Sequence, residues 1–227
     1  MFSVIFEVNP RPENWDDYLA NAKMLRPELE QVEGFVDNIR YRSLTREGWI
    51  LSLSGWRDEK SLVRWRTSMR HHEVQQKGRD GILADYHLRV GQITRDNQVP
   101  SGQELAEQRL DETEVGEGTT ITLLAFARPA HLTETAAVDE YAKSLGLKPW
   151  AADSVSWDLF DAVLTPGQLI LLITWKDEAA ADEYERSIPA GGNRVRRVRV
   201  IRDYGKYDRR EAPQYYADAT GRQTLHA

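Results

Sequence analysis

Three landmarks recur along this chain at one spacing. Trp56 returns as Trp175, Trp65 as Tyr184 and Ser68 as Ser187, each 119 residues later, and Pro10 returns as Pro129 at the same offset. Around the first pair the local sequence also repeats, with Gly55-Trp56-Arg57-Asp58-Glu59 echoed by Thr174-Trp175-Lys176-Asp177-Glu178. A fixed offset over several landmarks marks an internal duplication, so whatever fold the first half adopts, the second half is expected to adopt it too.

The first half reads as follows. Phe2 to Val8 alternates with a period of two and predicts a strand, which Asn9-Pro10-Arg11-Pro12 ends because proline removes a ladder donor. Trp15, Tyr18, Leu19, Ala22, Leu25 and Leu29 form a helical stripe within residues 13–32, with Pro27 expected to kink or divide it and Gly34 to cap it. Two strands follow, Phe35 to Leu44 and Trp49 to Trp56, joined through Arg46-Glu47-Gly48. One helix after Asp58 presents Leu62, Trp65 and Met69, and a last strand covers Ala84 to Thr94. The order β-α-β-β-α-β is that of a ferredoxin-like unit, an antiparallel sheet with helices on one face.

The reading therefore divides the chain into residues 1–98, a linker at 99–118, a second ferredoxin-like copy at 119–204 and a tail at 205–227. The linker carries six acidic residues against one arginine, and a short helix is expected over Glu104 to Leu110. In the second copy a strand is expected over Ile121 to Arg128, a helix near Glu134 to Leu145 and a hairpin around Pro166-Gly167. A helix from about Glu178 to Ser187 and a strand from Val195 to Ile201 complete it. The fold class is α+β: two tandem ferredoxin-like units, which pair with each other within one chain or between chains.

Composition closes several routes. The chain has no cysteine, which excludes disulfides, thiolate metal sites and cysteine nucleophiles. No 18-residue apolar run and no leader pattern occur, so no membrane partner and a cytoplasmic location are expected. The arginines at 194, 196, 197, 199 and 202 lack interleaved aromatics or a phosphate loop, so no nucleic-acid partner is expected. They are read as a solvated strand face, or one turned to the acidic linker. No His-x-x-x-His spacing or glycine-rich nucleotide motif is present.

Within the first half, Trp65-x-x-Ser68-x-x-His71, the Gly78-Arg79 step, Tyr86-x-x-Arg89-Val90-Gly91 and Trp56 together resemble the antibiotic biosynthesis monooxygenase family. The resemblance spans nearly all of residues 1–98 and reaches the second half only through the repeat. It implies a dimeric α+β barrel and, as activity, oxidation of a small aromatic or phenolic compound by O2 with neither metal nor flavin. By the same resemblance Trp65 orients the substrate, His71 takes a proton and Arg89 holds the developing anion, the alternative for Arg89 being an ion pair with a neighbouring strand. Trp65, Trp56 and Phe6 are the expected substrate contacts. Tyr86, three residues before Arg89 on a strand, faces the opposite side and is read as packing.

Two alternatives stay open at this point. One is a binding or stress-related barrel without turnover. The other is haem binding or degradation, against which stand Val4-Ile5-Phe6 where haem-degrading members have an asparagine, and Gln75 where they have their axial histidine. The second half lacks the candidate residues, with Tyr184 replacing the tryptophan and Ala190 standing at the position of His71. It is read as a structural partner. An intrachain pseudo-dimer is expected, with a homodimer as the other arrangement.

Overall fold

The computed structural model describes residues 1–106, 116–130, 138–145, 154–188 and 191–207, and of residues 69–72, 80 and 142 the backbone alone. The first half runs β1 (Phe2–Pro10), α1 (Trp15–Glu30), β2 (Phe35–Ser43), β3 (Ile50–Trp56), α2 (Glu59–Arg66), α3 (Met69–Lys77) and β4 (Leu83–Asp96). The second half runs β5 (Thr120–Ala127), α4 (Val138–Ser144), β6 (Ser154–Ala162), β7 (Gln168–Trp175), α5 (Glu178–Ser187) and β8 (Arg194–Gly205). The second half thus has the β-α-β-β-α-β order and the first has it with its second helix split in two, and together they form an α+β fold.

The two sheets join edge to edge into one closed barrel, in the order β1-β3-β2-β6-β7-β5-β8-β4. Closure occurs within the chain, and the inner faces of the two sheets pack on each other inside the barrel. Closing a sheet removes the unpaired edges that each half would otherwise expose. The two seams differ. Strands β4 and β8 pair over most of their length, from His87↔Gly205 to Asp96↔Arg196, whereas β2 and β6 pair only at Tyr41↔Ala162, Arg42↔Asp161 and Ser43↔Phe160.

Strand alternation sorts the side chains into three layers. Ile5, Tyr41, Leu53, Ile93, Ile121, Leu123, Phe160, Leu172 and Val198 fill the barrel interior. Outside it, Phe2, Trp56, Leu62, Val90 and Leu29 join sheet to helices in the first half. In the second half the same layer is filled by Leu124, Phe126, Tyr141, Leu171, Trp175 and Tyr184. The repeated tryptophans do equivalent work: Trp56 Nε1 donates to Ser54 Oγ at 2.9 Å, and Trp175 Nε1 donates to Thr122 Oγ1 at 2.9 Å.

Helix starts repeat as well. Asp58 accepts from Ser61 N at 2.7 Å and Asp177 from Ala180 N at 3.0 Å, each a carboxylate N-cap. Burial would raise the Asp58 pKa, but the two bonds from Ser61 and the neighbouring Arg57 lower it to about 2.

Three local expectations are corrected. Helix α1 runs through Pro27 without a break. The single helix expected after Asp58 is two, because Thr67 Oγ1 turns back to Val63 O at 2.9 Å and Ser68 starts a new helix. The arginines of β8 are not a solvated face: Arg197 is buried and bonded to Glu178, Asp182 and Glu185 of α5. The end of the expected linker helix, residues 107–110, lies outside the described residues, as do Ala190 and most of the tail.

Candidate functional site

A cavity of about 570 Å3 lies between the helices of the first half and the outer face of its sheet. Its floor is built strand by strand from residues that alternation sends outward: Asn38 and Arg40 of β2, Ser52 and Ser54 of β3, Val4 and Phe6 of β1, and Tyr86, Leu88 and Val90 of β4. The register sets them side by side, with Phe6 opposite both Ser52 and Leu88. The roof comes from Tyr18, Ala22 and Leu25 of α1, Leu62 and Trp65 of α2, and Val74 and Gln75 of α3.

The floor does not end with the first half. Strand β8 pairs with β4 so that Arg202 lies opposite Val90 and Tyr204 opposite Leu88, and both line the cavity. Arg202 Nη2 is 3.7 Å from Glu59 Oε1 at the start of α2. Arg66 lies over the Tyr204 ring at 5.8 Å and Arg79 over the Tyr86 ring at 5.7 Å. Tyr18 accepts from Arg40, although burial is the larger influence and raises the Tyr18 pKa. Among the described lining residues, five arginines (26, 40, 66, 79 and 202) face one carboxylate, Glu59.

The residues expected from sequence separate here. Trp65 and Phe6 line the cavity. Trp56 does not: it is 1 % exposed, packs edge-on against Phe35 at 5.6 Å and reaches the cavity only through the Ser54 hydroxyl it holds. His71 lies in α3, and its side chain falls outside the described residues. Gln75, where a haem-degrading relative would place its histidine, is part of the roof, and no described lining residue is a histidine.

Arg89 is corrected outright. It occupies the other face of β4, inside the barrel, where it is 2 % exposed, ion-paired with Glu7 and bonded to Thr174 Oγ1 at 2.6 Å. It therefore ties β4 to β1 and β7 and holds no anion in the cavity. Burial alone would raise the Glu7 carboxyl, but Arg89, His87 and Arg46 hold it below the usual carboxylate range. The same interior network continues through Arg46 to Asp158 at 2.6 Å, and His87 Nε2 lies 2.5 Å from Asp203.

Tyr86, Arg66, Arg79, Arg202 and Tyr204 are the lining residues that sequence reasoning missed. A signal for the first was present. Along β4 the even positions Tyr86, Leu88 and Val90 are apolar or aromatic, while His87 and Arg89 are polar. The apolar set is the one a helix layer covers. No pattern within either half predicts the contribution of β8, since it depends on how the two sheets join.

Residues 1–77 match the family described as antibiotic biosynthesis monooxygenase. The chain is 50 % identical, over 97 % of its length and 100 % of the relative, to a protein of Pyricularia oryzae (strain 70-15) named jasmonate monooxygenase ABM. Solved structures similar to it include a conserved protein from Methanosarcina mazei Go1. That one is 21 % identical, covers 39 % of this chain and 88 % of the other, and has a TM-score of 0.37. Another is an anthrone oxidase-like protein, 13 % identical over 90 % of this chain and 93 % of the other, with a TM-score of 0.31. With a half-identical relative matched from end to end, the chain belongs to the antibiotic biosynthesis monooxygenase family.

Proposed function

We propose that the chain is a monooxygenase that takes a small, largely apolar acid into the cavity beneath α1, α2 and α3 and oxygenates it with O2, without a bound cofactor. The observation that carries this reading is the lining: an aliphatic and aromatic wall with five guanidinium groups against one carboxylate. Such a wall binds a hydrocarbon body by burial and an anionic head by charge-assisted hydrogen bonds. The Pyricularia relative is named for jasmonate, which is a small carboxylic acid with an apolar ring and side chain. An ionised phenol meets the same wall in the same way, so the aromatic substrates implied by the family resemblance belong to this class too.

Trp65 and Phe6 pack on the substrate body, and His71 takes the proton from the carbon or hydroxyl to be oxidised, its ordinary pKa lying near neutrality. In a cofactor-free reaction the substrate supplies every electron. An activated CH2 becomes a carbonyl, one oxygen atom of O2 stays on that carbon, and the other leaves as water with the two hydrogens. The protein then contributes position and charge stabilisation.

The test is oxygen uptake by the purified protein with jasmonate and with a panel of dihydroxyaromatic compounds, in the presence and absence of reduced nicotinamide and flavin. Uptake matched by one equivalent of oxidised product, and lowered in Trp65→Ala, is the expected result. No uptake with either panel, with or without reductant, overturns the enzyme and favours a binding barrel. Uptake only with reductant overturns the cofactor-free step. A Soret band on adding haem, lost in His71→Ala, moves the protein to the haem branch.

A further inference from the structure

One mouth of the barrel encloses a second cavity, of about 520 Å3, separated from the first by the sheet. Asp37, Tyr41, Leu53, Ala125, Arg194 and Arg196 are in its wall. Arg196 pairs in register with Leu123, a residue of the barrel interior, and so turns inward with it. It is 4 % exposed, its Nε is buried, and none of its guanidinium donors meets an acceptor among the described residues.

Its neighbours on β8 are served. Arg194 holds Asp96 through two bonds, of 3.1 and 2.7 Å, and Arg197 is bonded to three carboxylates of α5. A buried guanidinium left without an acceptor is costly and rare, because desolvation is uncompensated. Burial, and then the adjacent charge of Arg194, push its pKa down, while the charges of Asp37, Tyr41 and Asp96 act the other way. Asp37 shares the cavity wall and attracts Arg196 through space without a hydrogen bond to it.

We propose that this mouth is a binding site for a small organic monocarboxylate, held by the guanidinium of Arg196. The carboxylate supplies the acceptors that the fold does not, in the paired geometry a guanidinium fork favours. Asp37 in the same wall disfavours a dianion such as phosphate, and Leu53, Tyr41 and Ala125 offer apolar surface to a short hydrocarbon body. This site is independent of the oxygenation cavity and of any substrate assigned there.

The experiment follows the arginine Nε–Hε resonances of the 15N-labelled protein during titration with sodium butyrate, with inorganic phosphate and chloride at equal ionic strength. One resonance, absent in Arg196→Met, is expected to shift saturably with butyrate and not with chloride. Asp37→Asn is expected to tighten butyrate binding several-fold, and Arg202→Ala, altered in the other cavity, to leave it unchanged. No saturable shift, a butyrate affinity unchanged in Arg196→Met, or loss of the shift in Arg202→Ala overturns the proposal. Phosphate binding as tightly as butyrate overturns the monocarboxylate assignment. Should Arg196→Met not fold, Asp37→Asn decides alone, since equal or weaker binding counts against the site.

Discussion

At the scale of single residues, parity decides roles. Trp65 and Phe6, singled out through the family resemblance, line the cavity, one on a helical stripe and the other by strand alternation. For Arg89 the face of β4 it occupies decides between the two roles left open, in favour of the ion pair. Inside the barrel it and Glu7 form a buried pair, and removing one partner of such a pair costs about 3–5 kcal/mol. Glu7→Gln is expected to destabilise by that amount in urea denaturation. The sign with pH follows from the lowered Glu7 pKa. Its stabilisation is complete above the ordinary value of 4.5 and fades as pH falls through the lower folded value, so the gap between wild type and Glu7→Gln should narrow below pH 4.5. In the oxygenation cavity, Arg202→Ala is expected to lower kcat/KM for an acidic substrate by about tenfold to a hundredfold, the range of one charged hydrogen bond. Its effect on a neutral analogue of the same shape should be smaller.

Elements were more readable than residues. The order of strands and helices followed from alternation, helical stripes and the constant offset, since these are local patterns that the buried layers enforce. What escaped was the break between α2 and α3, where the Thr67 hydroxyl bonds the carbonyls of Val63 and Arg64. The carboxylate caps offer a direct check: Asp58→Ala and Asp177→Ala should each cost about 1 kcal/mol, and the two losses should add because the caps stand in different halves. The β4–β8 seam has a sharper requirement. Gly91 lies at a register shift there, and a Cβ on it would collide with Val198 and sit 2.5 Å from the Arg199 carbonyl oxygen. Gly91→Ala is expected to destabilise by about 1–3 kcal/mol, read as a fall in melting temperature.

For the whole molecule, the two halves share one barrel interior, so neither has a core that closes alone. Thermal unfolding followed by far-ultraviolet circular dichroism and by tryptophan fluorescence should give coincident, single transitions, as a cooperative unit requires. Hydrogen exchange should find the first opening at the short β2–β6 seam, where Ser43 and Arg46 gather on Asp158 to supplement three paired positions. The sequence pointed to two matched sheets in one barrel and left the pairing of their edges unread, because inter-sheet register arises from long-range contacts with no local signature. That joining sets when the protein becomes competent. Tyr204 and Arg202 belong to the last strand of the barrel yet form part of a floor begun by Val4 and Phe6 on the first. During translation, therefore, a nascent chain holds no finished chamber until β8 has left the ribosome, and ligand capture waits for the second half.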